Sequence, residues 1–278
     1  MTTHPAPWQA SSGHHARQRV FTQSSKLQDV LYEIRGPVHL FRERLLLRFF
    51  RHMLPQGRVL DAGCGSGSLA LDLCRAGYEV EGVEASAQFA ALVGAKARAA
   101  GVADRLRVRR ASVTALPYAD ASFAGLVCGE VLEHVLPDTG GDAAAIREFS
   151  RVLKPGGVCV ASVPHDPRQW DHTDTWARHV KRYRREEFAA LFAGAGFAVE
   201  KISIWGFPLG RLYHRWLFAP WLRRTAGQQL DQREARADTR AGRNPALVGA
   251  LAGLLRFDEL FSRWALGRGI VLCARRGY

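Results

Sequence analysis

Asp61-Ala62-Gly63-Cys64-Gly65-Ser66-Gly67 packs three glycines behind an acid. Glycine lets a chain turn sharply, and it lets a ligand approach the backbone without meeting a Cβ. A helix that starts directly after such a turn aims its free N–H groups at the same spot. A second acid, Glu84, follows Asp61 by 23 residues. At the end of the next strand, an acid at that offset can accept hydrogen bonds from both hydroxyls of a ribose. Loop and acid together point to an adenosine-type ligand. Gly65-Ser66-Gly67-Ser68-Leu69-Ala70 also fits the G-x-G-x-x-A dinucleotide fingerprint, so nicotinamide and flavin remain rivals on this motif alone.

Other titratable groups stand further along. Glu130, Glu133 and His134 share a short Glu-Val-Leu-Glu-His run. His165, Asp166, Asp171, His172, His179 and Tyr183 follow an apolar stretch that ends in Ser162-Val163-Pro164. An imidazole titrates near neutrality and suits removal of a hydroxyl proton. His165 is the best placed of this group, and the alternative is a polar loop over the site.

Alternating strands and helices must position these groups. Short apolar strands are expected at Arg58–Ala62, Glu79–Val83, Leu106–Arg110, Gly125–Cys128, Val158–Val163, Ala198–Trp205 and Gly269–Ala274. Helices are expected at 38–54, Leu69–Ala76, Ala87–Ala100, Ala143–Leu153 and Arg185–Ala195, several of them closed by a glycine. Lys154-Pro155-Gly156-Gly157 reads as a turn into the fifth strand. This alternation predicts an α/β fold, a doubly wound and mostly parallel sheet with helices on both faces. Ligands of such sheets bind at the carboxyl ends of the strands. About 60 residues separate the last two strands, too many for an ordinary connection, and this predicts a helical cap insertion.

Composition is ordinary for a globular chain of 278 residues, with 47% hydrophobic and 23% charged side chains. That excludes wholesale disorder, a collagen-like repeat and a disulfide-stapled miniprotein. The five cysteines are scattered, without CxxC pairs, as in a reducing compartment. No run reaches the roughly 18 apolar residues of a membrane span, and a cytoplasmic location is expected. Lys and Arg exceed Asp and Glu by 39 to 26, a net charge of +13, concentrated in both flanks of the chain. A basic rim suits an anionic substrate, an acidic membrane surface or nucleic acid, and solvated arginines would give the same count.

Several of these segments, taken in order, resemble class I S-adenosylmethionine-dependent methyltransferases. Val59 to Gly67 looks like their first motif and Val83-Glu84-Ala85-Ser86 the second. Leu116-Pro117-Tyr118, Phe123 and Glu130 to Val135 resemble the segments around the fourth strand, and Arg151 to Gly157 the turn into the fifth. The dinucleotide reading predicts none of these later pieces. The resemblance implies a seven-stranded sheet whose last strand is antiparallel. It implies S-adenosylmethionine as cofactor, held by Asp61, Gly63, Cys64, Gly65, Gly67, Glu84, Ala85, Ser112, Val113 and Glu130. Gly63 and Gly65 would pass the methionine part, Glu84 would hold the ribose, and Ser112 and Val113 would flank the adenine. Two positions depart from the family, which often carries Asp where Ser112 and Ala124 stand.

The Glu-Val-Leu-Glu-His spacing is similar to that of ubiquinone-pathway O-methyltransferases, where the two acids and the histidine are associated with a divalent metal. No metal is assigned from the sequence. Glu130 is read as a cofactor seat, with Glu133 and His134 at a helix start. His165 and His134 are the catalytic candidates.

The expected organisation is a flexible tail at 1–25, an N-terminal helical segment at 26–55 and a cofactor-binding core at 56–205. An insertion at 206–268 shapes the substrate side, and the last strand runs over 269–278. The expected function is methyl transfer to a small molecule, anionic or aromatic, at a hydroxyl or phenol. N- or C-methylation, a lipid or polyprenyl acceptor, and a non-catalytic cofactor-binding regulator are the alternatives. Aromatics and arginines interleaved in the insertion suit peripheral membrane contact. Nucleic acid is not an expected partner, and the sequence leaves the oligomeric state open.

Overall fold

The computed structural model describes residues 36–225 and 244–278. The expected tail and the central part of the insertion lie outside them.

Seven strands form one sheet in the order β3-β2-β1-β4-β5-β7-β6. Their ranges are β1 Arg58–Ala62, β2 Glu79–Glu84, β3 Leu106–Arg110, β4 Phe123–Gly129, β5 Leu153–Pro164, β6 Phe197–Trp205 and β7 Gly269–Arg276. Strands β1 to β5 pair in parallel. Strand β7 lies between β5 and β6 and runs antiparallel to both. This is the doubly wound arrangement expected, including the reversed last strand.

Successive residues of a strand face opposite sides, so a sheet buried on both faces needs nearly continuous apolar strands. In β1, Val59 joins one core and Leu60 the other. The first core is closed by helices α1 (Pro37–Met53), α2 (Ser68–Arg75) and α3 (Ala87–Ala99). The second is closed by α4 (Gly141–Val152) and α6 (Arg185–Gly194), with α5 (His172–Ala177) in the loop between β5 and α6. Helix α1 turns Phe41, Leu45, Leu46 and Phe50 inward. Phe41 meets Trp205 at 6.1 Å between ring centroids, and Phe50 meets Tyr78 edge-on at 5.5 Å. These contacts bring the arginine-rich helix to the cofactor side of the core.

One expected boundary differs. Lys154-Pro155-Gly156-Gly157 does not precede β5 but lies inside it. Leu153 already pairs with Phe123, and pairing resumes at Val158 with Gly125. The intervening residues are extruded as a bulge, with Gly156 at φ +73°. Turn chemistry in the sequence marks the bulge equally well, because both need a left-handed residue.

The insertion contains α7 (Leu209–Tyr213), a π-turn at His214–Phe218, α8 (Ala219–Thr225), α9 (Pro245–Leu254) and a 3-10 segment at Leu255–Phe261. Asp258 is buried and accepts the N–H groups of Leu209 and Gly210, both at 2.8 Å, which ties its two halves together. Among the described residues no helix is long and apolar enough to cross a membrane. All five cysteines are buried and free.

Candidate functional site

The sheet order reverses between β1 and β4, so the loops that leave these strands diverge and open a crevice. Residues 63–67 line one side and residues 130–135 the other. Gly63 N–H and Cys64 N–H both donate to the Val83 carbonyl, at 2.8 and 2.9 Å, and anchor the turn to β2. Gly63 adopts φ +78°, and a Cβ there would lie 2.5 Å from Val131 Cγ2. Gly65, at φ +51°, would project a Cβ into open space. The first glycine is required by packing, whereas the second leaves room at the crevice.

Glu84 stands beside Gly65 as the sequence requires. Its Oε2 accepts Gly65 N–H at 3.0 Å and its Oε1 accepts Ser86 N–H at 2.8 Å. Each oxygen keeps a further lone pair for a ribose hydroxyl. Ala111 N–H donates to the Glu84 carbonyl and Arg110 Nε to the Ala85 carbonyl, so the end of β3 closes on this corner. Ser112 is exposed and its hydroxyl pairs with Thr114 at 2.8 Å, while Val113 is buried.

Asp61 lies under the turn and is almost completely buried. Burial, then Glu43 and then Glu84 push its carboxyl up to about 8, against a bond from Ala70 N–H. One carboxylate oxygen, Oδ2, has no hydrogen-bond partner among the described residues. Cys64 is also buried, and its thiol is pushed far up by the same burial and by Asp61. Glu43 was not legible as a site residue, because it sits among arginines on α1. In the fold it accepts the Ser68 hydroxyl and lies 3.0 Å from His39 Nε2.

This acidic floor is what S-adenosylmethionine would require, since its sulfonium and ammonium are cationic. The buried carboxyl with a free oxygen, the acid pair and the open glycine corner all fit that group.

Across the crevice, Glu130 adopts φ +56° and accepts the Ser162 hydroxyl at 2.9 Å. Arg42 of α1 approaches its other oxygen at 3.7 Å. Glu133 points elsewhere: its carboxylate is fully buried, with neither oxygen hydrogen-bonded to another described residue. Burial and Glu130 hold its carboxyl well above the usual range, and its own peptide N–H opposes them. His134 is pushed down by burial and by His179, whose ring it meets edge-on at 4.9 Å.

His165 is buried at the end of β5, and its Nδ1 lies 3.0 Å from the Gly267 carbonyl. A carbonyl only accepts, so Nδ1 carries the proton and Nε2 keeps a lone pair. The same residue's carbonyl accepts Arg182 NH1 at 3.0 Å. Arg182 Nε in turn donates to Asp174 at 2.7 Å, and His179 Nδ1 donates to the same oxygen at 2.9 Å. Burial opposes the Asp174 charge, but the bonds from His179 and Arg182 hold its carboxyl far below the usual carboxylate range.

Residues 60–161 match a methyltransferase domain family. A ubiquinone biosynthesis O-methyltransferase of Xanthomonas axonopodis pv. citri is 28% identical over 228 residues, 74% of this chain and 91% of that protein. One from Psychrobacter cryohalolentis is 34% identical over 127 residues, 45% of this chain, and that match spans about half the relative's length, 48%. The solved geranyl diphosphate C-methyltransferase of Streptomyces coelicolor A3(2) shares the fold at TM-score 0.56, with 20% identity, over 92% of this chain and 88% of that one.

Residues 60–161 form a methyltransferase domain, and the seven-stranded sheet with its reversed last strand is the fold of class I S-adenosylmethionine-dependent methyltransferases. The curated relatives above carry the name ubiquinone biosynthesis O-methyltransferase.

Proposed function

We propose that the chain methylates a hydroxyl or phenol of a small, anionic or aromatic molecule. The bipartite hold of Gly65 and Ser86 on Glu84, above the buried Asp61, is the observation that carries this reading. Gly63, Cys64, Gly65 and Gly67 shape the turn that would pass the methionine chain. Glu84 holds the ribose, and Ala85, Ser112 and Val113 border the adenine. Glu130 faces the methionine end, and Asp61, protonated in the cofactor-free protein, would ionise beside the cationic cofactor. S-adenosylmethionine, when bound, supplies an electrophilic methyl group, and the protein supplies alignment and dryness.

An acceptor O–H must lose its proton as the O–CH3 bond forms. His165 Nε2 is the base in this reading, and the bond from its Nδ1 to Gly267 fixes the required tautomer. His134 is a second candidate imidazole, and burial and His179 favour its uncharged form. The insertion closes the acceptor side, and a cytoplasmic setting agrees with the unpaired buried thiols.

The test is calorimetry with S-adenosylmethionine and its demethylated product, followed by transfer of labelled methyl to a panel of phenols. Glu84→Ala removes acceptors for two hydroxyls and should weaken cofactor binding roughly 10- to 100-fold. His165→Ala should retain binding and lose turnover. Folded wild-type protein that binds neither cofactor form would refute the proposal.

A further inference from the structure

Arg268 stands one residue ahead of β7 and is half-buried. Its backbone is built into the corner that holds His165. His165 N–H donates to the Arg268 carbonyl at 2.8 Å, and Arg268 N–H donates to the Trp205 carbonyl at 2.7 Å. The carbonyl of the preceding residue, Gly267, accepts Gln169 Nε2 at 2.8 Å as well as His165 Nδ1 at 3.0 Å. A Cβ at Gly267 would collide with the Trp205 carbonyl, so only glycine fits there. The ends of β5, β6 and β7 thus lock residues 267 and 268 beside the imidazole.

The guanidinium of Arg268 is left unmatched. It makes no hydrogen bond or ion pair with any described residue. The charged groups that act on it are Arg182, Asp171, Asp174 and Arg211. Each of these has a partner of its own. Arg182 is spent on Asp174 at 2.7 Å and on the His165 carbonyl at 3.0 Å. Asp171 accepts the Thr173 N–H and hydroxyl, and lies 2.7 Å from His214 Nε2. Burial and Arg268 itself push His214 toward its uncharged form. Arg211 NH1 donates to the Leu266 carbonyl at 3.3 Å. Burial and Arg182 push Arg268 down to about 10, so it still carries its charge at neutral pH. A half-buried cation without a counterion is costly, and an anionic ligand removes that cost.

We infer that Arg268 binds a carboxylate carried by the methyl acceptor, and that this contact sets which hydroxyl lies at His165. The inference rests on the methyl-transfer reading above and adds the residue that recognises the acceptor's charge. The balance of charge fits a monoanion. Three guanidinium groups, Arg182, Arg211 and Arg268, face two carboxylates, Asp171 and Asp174, and leave one positive charge in excess. A phosphate monoester carries nearly two negative charges and would be repelled by both acids. The planar fork of a guanidinium matches the two oxygens of a carboxylate. Because His165 N–H bonds the Arg268 carbonyl, the anion site and the imidazole are held at a fixed spacing. A rigid acceptor docked through its carboxylate then offers one hydroxyl to His165 Nε2 and keeps others away.

The test is calorimetry on the full chain with dihydroxyphenylacetate and dihydroxyphenylacetamide, two catechols that exchange a carboxylate for a neutral amide. Both are titrated with and without the demethylated cofactor, and the same ranking is expected in each case. Wild type should bind the acid roughly 10- to 100-fold more tightly than the amide. Arg268→Gln should bring the two within a few-fold of each other, by weakening the acid and not by strengthening the amide. Arg268→Lys keeps the charge but loses the fork, so its preference should fall between, and it carries the test if Arg268→Gln does not fold. Arg107→Gln, on β3 at the opposite edge of the sheet, should keep the full preference. Cofactor affinity, measured alone on every sample, should be unchanged. The inference is overturned if folded wild type binds neither probe or binds both equally, or if folded Arg268 variants keep the wild-type preference. Loss of the preference with cofactor binding intact in wild type leaves the methyl-transfer reading standing, whereas absent cofactor binding refutes that reading and not this one.

Discussion

Asp61 is the residue on which the electrostatics of the cofactor turn converge. It is buried beside Glu43 and Glu84, and its carboxyl titrates near 8 rather than near 4. Between those values the folded protein holds a proton that the unfolded chain has released. Stability therefore falls as pH rises through that window. The contribution of neutral Asp61 is complete below about 4 and is lost as pH passes about 8, a loss on the order of a few kcal/mol. Asp61→Asn should flatten the fall in Tm between pH 5 and 9 for cofactor-free protein. Thermal melts across that range check it, and an unchanged slope in the variant refutes the assignment. A cationic cofactor would favour the ionised acid, so saturating S-adenosylmethionine should lift wild-type Tm more at pH 8.5 than at pH 6.

At the scale of the element, the turn between β1 and α2 separates two uses of glycine. Gly63→Ala places a Cβ 2.5 Å from Val131 and imposes φ +78° on a side chain. It should cost roughly 2–5 kcal/mol, part strain and part overpacking. Val131→Ala removes the clash but not the strain, so the double variant should recover only part of that loss. Gly65→Ala meets nothing within 4 Å. It should cost about 1–2 kcal/mol of strain alone and should weaken cofactor binding instead. Denaturant melts and calorimetry on the same variants separate the two. Equal stability losses at both positions would refute the distinction.

What the sequence revealed follows the same line between local and distant. The turn and Glu84 were legible because each sits at a strand end and adjacent strands bring the ends together. The parallel sheet and most boundaries followed from alternation, the reversed last strand from the family resemblance, and the strand order came only with the structure. Glu43 was hidden, because a glutamate on an arginine-rich helix reads as a solvated residue until the fold sets it under Ser68. The meeting of His179 with His134 was hidden too, since it depends on a loop stitched by Asp174 and Arg182. The bulge in β5 carried the right residues but the wrong boundary.

The whole molecule presents a basic surface with an apolar face on the insertion. Phe207, Phe261 and Trp264 cluster with centroids 5.1 to 6.1 Å apart, and Phe257 joins at 5.4 Å. Beside them Leu260 is 75% and Trp264 53% exposed, and Trp216 of the π-turn is 68% exposed. Arg215, Arg256 and Arg263 are exposed on the same segments. Asp258 is buried within the insertion, and Glu259 is shared between Arg48 at 2.6 Å and Arg256 at 3.9 Å, so Arg215 and Arg263 are not offset by either acid. Apolar side chains flanked by guanidinium groups suit the boundary of an anionic bilayer, where the rings enter the acyl region and the cations meet phosphates. The chain should therefore sediment with vesicles rich in anionic phospholipid and not with neutral ones, and added salt should weaken the association. Burying one leucine or tryptophan contributes about 1.5–3 kcal/mol, so Leu260→Ser and Trp264→Ala should each reduce partitioning by roughly 10-fold or more. Cofactor affinity measured in free solution should be unchanged in both. Equal partitioning of wild type into neutral and anionic vesicles, or none into either, would show that the arginines and aromatics of the insertion serve its own packing alone.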